Sequence, residues 1–222
     1  MSIHHHLDAA SLMRYAAGDL DPAFAVVVAS HIAMCDECRQ AVRLAEAVGG
    51  ACLSDMPEAE LSDGSFTRLS RMIDAVPDTA TTRPSAETRP ANDPAGDVPL
   101  PLSSLIGGSL DALPWRVVVP GVHRHKIELA DTSSSLFLLK IGSGKKMPEH
   151  GHGGTEMTLI LRGSYRDSMG RFARGDIADL DEHVEHQPVV DSHDPCICLV
   201  ATEEPTRFKG IVSRLMQPLV GI

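Results

Sequence analysis

A proline-rich segment divides this 222-residue chain into two unlike parts. Residues 77–101 contain six prolines among threonine, alanine and aspartate, with almost no large apolar side chains. Such a segment cannot bury enough apolar surface to offset the entropy lost on ordering. We therefore predict a flexible linker over 77–101 that joins two small folded domains, residues 1–76 and residues 102–222.

The first 76 residues have the pattern of a helical domain. One helix is predicted to begin at the N-cap Asp8, and a second, apolar on nearly all sides, begins at Asp21-Pro22. We expect this second helix at the centre of the domain, because it has no polar face to present to solvent. A third helix would end at Gly49-Gly50, where glycine permits a left-handed turn.

A fourth helix is predicted over residues 65–76, just before the linker. Apolar side chains recur along it at helical spacing and form one stripe. The stripe could complete the core of a four-helix bundle, or it could face a partner protein. Its members are Phe66, Leu69, Met72, Ile73 and Val76.

Beyond the linker the sequence changes to short runs rich in β-branched and other apolar residues, separated by glycine and aspartate turns. This texture is typical of a small antiparallel barrel or jelly roll. The fold class predicted for the whole chain is α + β multidomain, with an N-terminal four-helix bundle and a C-terminal antiparallel β-barrel. The predicted strands lie within residues 115–119, 135–141, 156–161 and 196–200.

A first group of candidate metal ligands lies where the second and third helices meet. The pattern His31-x3-Cys35-x2-Cys38 brings one imidazole and two thiolates together from eight residues. Thiolates with imidazole favour zinc, and a closed structural site needs a fourth ligand. The histidines at 4–6 can supply it, and we choose His6 as the one nearest the first helix. The alternative is that the two cysteines are small core residues.

This arrangement resembles the zinc anti-sigma domain, and the order of elements over residues 1–76 is similar to that of ChrR-type anti-sigma factors, which carry a cupin domain behind it. The resemblance implies that the domain wraps between the two domains of a group IV sigma factor and hides its polymerase-binding surface. It also implies a structural zinc ion that holds the first three helices together, since so small a bundle has a thin core of its own.

A second group of candidate metal ligands lies in the β-rich part. The pattern His150-x-His152-x3-Glu156 places two histidines on one face of a strand and a glutamate after a turn, and His186 can approach from a neighbouring strand. Three nitrogens and one carboxylate oxygen suit a divalent ion, with Zn2+ the first choice and Fe2+ or Mn2+ the alternatives. These motifs resemble those of the cupin superfamily, which implies a cupin fold over residues 102–222.

The second cupin motif departs from its usual form. Asp181 and His183 stand where a proline and a glycine are usual, and Val190 where an asparagine is. The identity of the metal therefore stays open. His183 ranks second to His186 as a ligand, and a polar barrel mouth without metal is the competing interpretation of the whole group.

Two further cysteines, Cys196 and Cys198, share one face of a predicted strand. Burial as structural residues is the common fate of such a pair. The sharper hypothesis is a thiol pair that points into the barrel near the metal and oxidises during sensing.

Charge and hydropathy exclude several classes of function. The formal net charge is −10, and residues 1–75 contain eleven acidic against five basic side chains. Acidity disfavours direct nucleic acid binding but attracts a basic protein partner. No run approaches the roughly 18 apolar residues of a membrane span, and the N-terminus is not a secretory signal. We expect a cytoplasmic protein.

The leading hypothesis for function is a non-enzymatic anti-sigma factor. It would inhibit a group IV (extracytoplasmic-function type) sigma factor and release it on a stress signal sensed through the cupin domain; the resemblance implies singlet oxygen or photooxidative stress. The alternative is a cupin metalloenzyme of the dioxygenase or isomerase type, tethered by a zinc-binding interaction domain. Sensing by Cys35 and Cys38 themselves is disfavoured, because thiol-switching relatives bring an extra N-terminal cysteine and none precedes Cys35.

Overall fold

The computed structural model describes residues 2–76 and 98–205, together with the backbone of residues 207–208. Most of the predicted linker, residues 77–97, lies outside the described residues. The last few residues of the 77–101 interval differ from the prediction, because Val98 is buried and a helix begins at Leu100. The fully buried side chain of Leu102 anchors this helix against the rest of the fold.

The helices precede the strands along the chain, as predicted. None of those in the described residues is long and apolar enough to cross a membrane. They are α1 (Ala9–Ala17), α2 (Pro22–Ile32), α3 (Asp36–Ser54), α4 (Ser65–Asp74) and α5 (Leu100–Ile106), followed by a single 3-10 turn (Leu110–Ala112).

The predicted helix starts are confirmed by their caps. The Asp8 side chain accepts a hydrogen bond from Ser11 N, and the Asp21 side chain accepts one from Ala23 N. Each carboxylate thereby satisfies a backbone donor that has no partner within its helix. At the other end, α1 stops at Gly18, whose φ of 72° is the left-handed conformation that glycine adopts without strain.

The predicted end of the third helix is wrong. The helix α3 continues through Gly49 and Gly50 to Ser54, and its C-cap Asp55 has a right-handed φ of −83°. The hydroxyl of Ser54 donates to the carbonyl of Gly50 at 2.9 Å, which helps to hold this last turn. Glycine permits a left-handed turn but does not require one.

A four-helix bundle is not confirmed. The helices α1, α2 and α3 pack on one another through Leu12, Phe24 and Val42, whereas α4 has no buried residue. The helix α2 also lies against the strands described below, so it is central to the whole fold and not to a helical bundle alone. Its all-round apolar surface explains this, because both of its sides must be covered.

The described residues of the β-rich part contain twelve strands, and the four predicted runs are all among them. Their bounds are β1 (Arg116–Val119), β2 (Val122–Ile127), β3 (Ser135–Ile141), β4 (His150–Gly151), β5 (Glu156–Arg162), β6 (Ser164–Asp167), β7 (Gly170–Ala173), β8 (Ile177–Leu180), β9 (Glu185–His186), β10 (Val189–Val190), β11 (Cys196–Thr202) and β12 (Arg207–Phe208).

The strands form three antiparallel sheets, and a closed barrel is not confirmed. A six-stranded sheet has the order β1-β2-β3-β11-β5-β8, and two three-stranded sheets have the orders β10-β6-β7 and β12-β4-β9. An apolar cluster that includes Phe137, Ile160, Tyr165 and Phe172 fills the space between the large sheet and the strands opposite it. The cupin-like part is therefore a layered sandwich in the described residues.

The central strand β11 is buried on both faces. Ile197, Leu199 and Ala201 belong to the apolar cluster that includes α2, while the alternate residues Cys196 and Cys198 belong to the cluster between the sheets. Side chains of a strand alternate between its faces, so one strand contacts both the helices and the interior of the sandwich.

A polar contact fixes the N-terminal end of α2 to the cupin-like part. The Asp21 carboxylate accepts hydrogen bonds from Thr132 Oγ1 at 2.5 Å and from Ser133 N at 3.0 Å. Thr132 and Ser133 lie in the loop between β2 and β3. Asp21 therefore serves two purposes, since it caps the helix and holds it to the sheet.

Replacing Leu199 with alanine should test how strongly the helices and the sheet depend on one another. Leu199 is fully buried in the cluster shared with α2, so Leu199→Ala should lower the free energy of unfolding by about 2–5 kcal/mol. Urea denaturation followed by the fluorescence of Trp115, the only tryptophan, measures the change. Leu105→Ala, at a side chain 40% exposed, is the control. Equal losses in both variants would contradict the packing described here.

Candidate metal sites and thiol pair

The structure brings the predicted N-terminal ligands together. Candidate ligand atoms of His6, His31, Cys35 and Cys38 all lie within 4.8 Å of one another, a group that could hold a metal ion. His6 Nδ1 is 3.3 Å from the Sγ of Cys35 and 3.5 Å from the Sγ of Cys38. The four residues come from the segment before α1, the last turn of α2, and the cap and first turn of α3.

The hydrogen bonds of His31 show that this group fits a metal. Its Nδ1 lies 2.9 Å from the carbonyl oxygen of Gly175 and donates to it, so its Nε2 carries the lone pair. That Nε2 is buried and has no hydrogen-bond partner among the described residues. A metal ion among the two sulfurs and two nitrogens would satisfy it, and this donor set is the one that zinc prefers.

Burial sets the protonation of these ligands before any metal arrives. It lowers the pKa of His31 to about 4, which keeps the imidazole neutral. It raises the pKa of the Cys38 thiol to about 11, despite a hydrogen bond from Leu7 N, so the thiol is protonated at neutral pH. Metal binding must therefore displace protons from sulfur, and the affinity will fall with falling pH.

Of the three N-terminal histidines, only His6 reaches the cysteines. His4 Nε2 lies 2.9 Å from the hydroxyl of Ser2, and the ring of His5 stacks on Phe172 with centroids 3.9 Å apart. The choice of His6 agrees with this geometry.

The second group lies in the cupin-like part. Ligand atoms of His150, His152 and His186 lie within 4.8 Å of one another, and all three side chains are buried. His150 and His186 are directly paired residues of β4 and β9. His183, the second choice, is exposed and lies outside this group.

The contact between His150 and His186 shows that a cation fits between them. Their Nε2 atoms are 3.0 Å apart, while the Nδ1 of His150 donates to Pro148 O at 2.9 Å and the Nδ1 of His186 donates to Asp167 at 2.9 Å. With both Nδ1 atoms protonated, two lone pairs face each other across 3.0 Å. Burial lowers the pKa of His150 to about 4, which disfavours a proton as the bridging charge.

Glu156 lies beside the three histidines. Its Oε2 is 3.2 Å from His152 Nδ1, and its Oε1 accepts a hydrogen bond from Thr158 Oγ1 at 3.1 Å. Burial raises the pKa of Glu156, but the nearby histidines outweigh this and leave it below its ordinary value. The residue is therefore a carboxylate at neutral pH, as a metal ligand must be.

The sequence analysis did not identify Asp167, which lies on β6 and accepts a hydrogen bond from the Nδ1 of His186. Its side chain is fully buried. Burial alone would raise the pKa of Asp167, but the hydrogen bond from His186 Nδ1 opposes this effect, and the pKa lies below its ordinary value. A carboxylate in this position fixes the tautomer and ring orientation of a metal-binding histidine. No spacing in the sequence relates Asp167 to His186, because their contact depends on how the sheets stack.

The metal group opens onto a cavity of about 60 Å³. Its walls are mostly apolar, and the buried hydroxyl of Tyr165 on its lining has no hydrogen-bond partner among the described residues. The lining also includes the thiol of Cys198, the carboxylate of Glu156, and His150 and His186 of the histidine group.

The two strand cysteines face this interior, as the sharper hypothesis requires. The Sγ atoms of Cys196 and Cys198 are 3.6 Å apart, and both side chains are buried. The hydrogen bond with Cys196 and burial raise the pKa of the Cys198 thiol well above its ordinary value. The Cys198 thiol is therefore protonated at neutral pH, and burial shields both sulfurs from solvent in this conformation.

Comparison with known proteins gives full-length similarity. The chain is 38% identical, over 222 residues and 100% of both sequences, to the Anti-sigma-E factor ChrR of Cereibacter sphaeroides. The solved structure of ChrR in complex with Rhodobacter sphaeroides SigE matches with a TM-score of 0.76 and 37% identity, over 90% of this chain and 100% of that chain.

A family match also covers the C-terminal part of the chain. Residues 104–205 match the family described as the ChrR Cupin-like domain, and this range contains both groups of cupin residues discussed above. The full-length identity extends the match to the helical part. The chain therefore belongs to the ChrR family of anti-sigma factors.

Proposed function

We propose that this protein is a cytoplasmic anti-sigma factor that binds and inhibits a group IV sigma factor and releases it when the cupin-like domain detects a stress signal. The observation that carries the proposal is the exposed apolar face of α4, in a chain related throughout its length to a ChrR that was solved together with SigE. The protein acts by occupying its partner and performs no catalysis.

The α4 stripe is the best candidate for the inhibitory surface. Its apolar side chains are between 57% and 80% exposed, which is unusual for so many neighbouring residues of one short helix. An amphipathic helix of this kind binds by laying its apolar face into a groove of its partner. Further apolar side chains are exposed elsewhere on the helical part, among them Met13, Leu44, Val48 and Leu53, and could add to that contact.

We propose that zinc holds together the helical part that precedes α4. His6, His31, Cys35 and Cys38 join the N-terminal segment to α2 and α3, and the buried, unpartnered Nε2 of His31 supports a closed structural site. In the cupin-like domain we propose a divalent ion held by His150, His152, Glu156 and His186, with Zn2+ as the first choice and Fe2+ or Mn2+ as the alternatives.

The signal is proposed to act on the cupin cavity, with singlet oxygen or a product of photooxidative stress as its source. Cys198 lines the same cavity as His150 and His186, and the Sγ of Cys196 lies 3.6 Å from the Sγ of Cys198. Joining the two sulfurs releases two protons and passes two electrons to the oxidant. Because both sulfurs are buried and the Cys198 thiol is protonated at rest, the oxidant must first enter the cavity.

The cavity itself argues against the metalloenzyme alternative. At about 60 Å³ it has room for only about four or five water molecules. Sites for metabolites usually enclose about 300–1,000 Å³. A substrate of the size of a sugar or an aromatic ring would not fit without opening the sandwich.

A charge placed on the α4 stripe should abolish inhibition. Leu69→Asp should weaken binding to a group IV sigma factor from the same organism by at least about 30-fold, the effect of losing one strong contact residue. Thr67→Asp adds the same charge on the opposite face and should change little. Titration calorimetry with the purified full chain measures both. Equal binding by the two variants would show that α4 is not the contact.

Removal of the two thiolate ligands should remove zinc and binding together. The double variant Cys35→Ser and Cys38→Ser should lose one zinc ion per chain and no longer co-purify with the sigma factor, since the helices lose the ion that joins them. Metal analysis of the co-purified complex gives both results. The control is Cys52→Ser, at an exposed cysteine. A zinc-free double variant that still co-purified would reject the structural role of the metal.

The sensing hypothesis predicts that the two strand cysteines are needed to release the sigma factor but not to bind it. Replacing both Cys196 and Cys198 with serine should leave sigma binding intact and abolish release after photosensitised production of singlet oxygen, because no disulfide can form. A reporter gene driven by the sigma factor measures release in cells, again with Cys52→Ser as the control. A normal response in the double variant would discard these thiols as the sensor.

A further inference from the structure

The segment that carries His6 is held by the cupin-like domain. Asp176 Oδ1 accepts hydrogen bonds from the backbone N–H groups of His4 at 2.7 Å and of His5 at 3.0 Å. Ile177 N in turn donates to the carbonyl of His5 at 3.3 Å. The two residues directly before His6 are therefore attached to the start of β8.

Side chains support the same contact. The His5 ring stacks on Phe172, and its Nε2 lies 3.1 Å from the carbonyl oxygen of Arg171. Ile3 lies so close to Gly175 that a Cβ atom at that glycine would be 2.8 Å from the Ile3 Cδ1 atom. Any larger residue at position 175 would force the Ile3 side chain to shift, in addition to the strain at its φ of 93°.

A second histidine ligand is held by the same turn. The carbonyl of Gly175 accepts the hydrogen bond from His31 Nδ1 at 2.9 Å, which directs Nε2 towards His6 and the cysteines. Both histidines of the group thus depend on residues 175–177 of the cupin-like domain. Cys35 and Cys38 depend on the cap and first turn of α3.

The turn is itself tightly fixed. Asp176 is 2% exposed, and its Oδ2 accepts a hydrogen bond from Ala173 N at 2.8 Å. Its backbone carbonyl accepts from Ile160 N at 3.0 Å, and Gly175 N donates to the Ile160 carbonyl at 2.8 Å. Ile160 lies on β5, the strand that begins with Glu156. The turn is thus bonded directly to the strand whose first residue lies beside the three histidines of the cupin metal group.

We propose that the turn Ala173–Ile177 of the cupin-like domain forms the outer shell of the N-terminal zinc site, with Asp176 as the positioning residue for His6 and the Gly175 carbonyl as that for His31. A segment already ordered by Asp176 loses less entropy when His6 binds the ion, so zinc is held more tightly. The two cysteines alone would form an incomplete site.

This inference rests on the proposed zinc site and adds that the cupin-like domain influences how tightly the site holds its ion. A displacement of β5 or β8 within the cupin-like domain would move both histidine ligands and leave the two thiolates in place. Zinc affinity would thereby respond to events in the other domain through hydrogen bonds, without any change at the sulfurs.

The test measures how fast the zinc-loaded full chain releases its ion. With EDTA present, iodoacetamide alkylates Cys35 and Cys38 only as zinc leaves, and peptide mass spectrometry assigns each modified cysteine. Asp176→Ala should raise the alkylation rate at both by about 10-fold, the lower end of the effect of losing an outer-shell partner. Asp194→Ala, at an exposed turn residue of the same domain, should keep the wild-type rate.

Hydrogen exchange in the same samples confirms which contact was lost. Asp176→Ala should remove the protection of the amides of His4 and His5, while β11 keeps its own. His4→Pro removes one donor from the N-terminal side, without altering the cupin-like domain, and should give a smaller increase in alkylation. If Asp176→Ala also removes the protection of the β11 amides, that variant has disturbed the cupin-like domain itself, and His4→Pro then provides the test.

Two results would overturn the proposal. One is an unchanged alkylation rate in variants whose His4 and His5 amides have lost protection, since zinc would then be indifferent to the contact. The other is unchanged protection in those variants. A wild-type chain whose Cys35 and Cys38 react at once, with no zinc bound, would instead reject the zinc site itself, and with it this inference.

Discussion

The packing of α2 against the six-stranded sheet is the interaction on which the rest of the structure depends. The outer face of that sheet is apolar, with fully buried Leu138, Leu159 and Leu199, and it needs a cover. The helix α2 is apolar on nearly all sides and can cover the sheet while it also contacts α1 and α3. Burial of one such leucine contributes about 1.5–3 kcal/mol, so separating the two parts would be costly.

The two metal groups follow one design despite their different ligands. In each, a histidine has one ring nitrogen fixed by a hydrogen bond to oxygen and the other directed into the group, as seen for His31 with Gly175 and His186 with Asp167. Buried histidines with lowered pKa values stay neutral, which is the form that binds metal. Both groups are therefore prepared for a cation by residues that do not touch it.

Much of the local structure could be predicted from the sequence, because caps and spacing are local signals. Asp8 and Asp21 predicted helix starts that the structure confirms, and the His31-Cys35-Cys38 spacing predicted side chains that the structure brings together. The end of α3 could not be predicted from Gly49-Gly50, since glycine permits a left-handed turn without requiring one and the helix continues to Ser54. The roles of Asp167 and Asp176 could not be predicted from the sequence, because sheet stacking and domain packing bring them close to their partners His186 and His4.

The exposed stripe of α4 has a quantitative consequence for regulation. An inhibitor that acts by occupying one partner surface works by titration, so its effect depends on the molar ratio of the two chains. Transcription by the sigma factor would begin only when its copies outnumber those of the inhibitor able to bind. The relative synthesis rates of the two proteins would then set the threshold of the response, and a small loss of inhibitor near equivalence would give a large change in output.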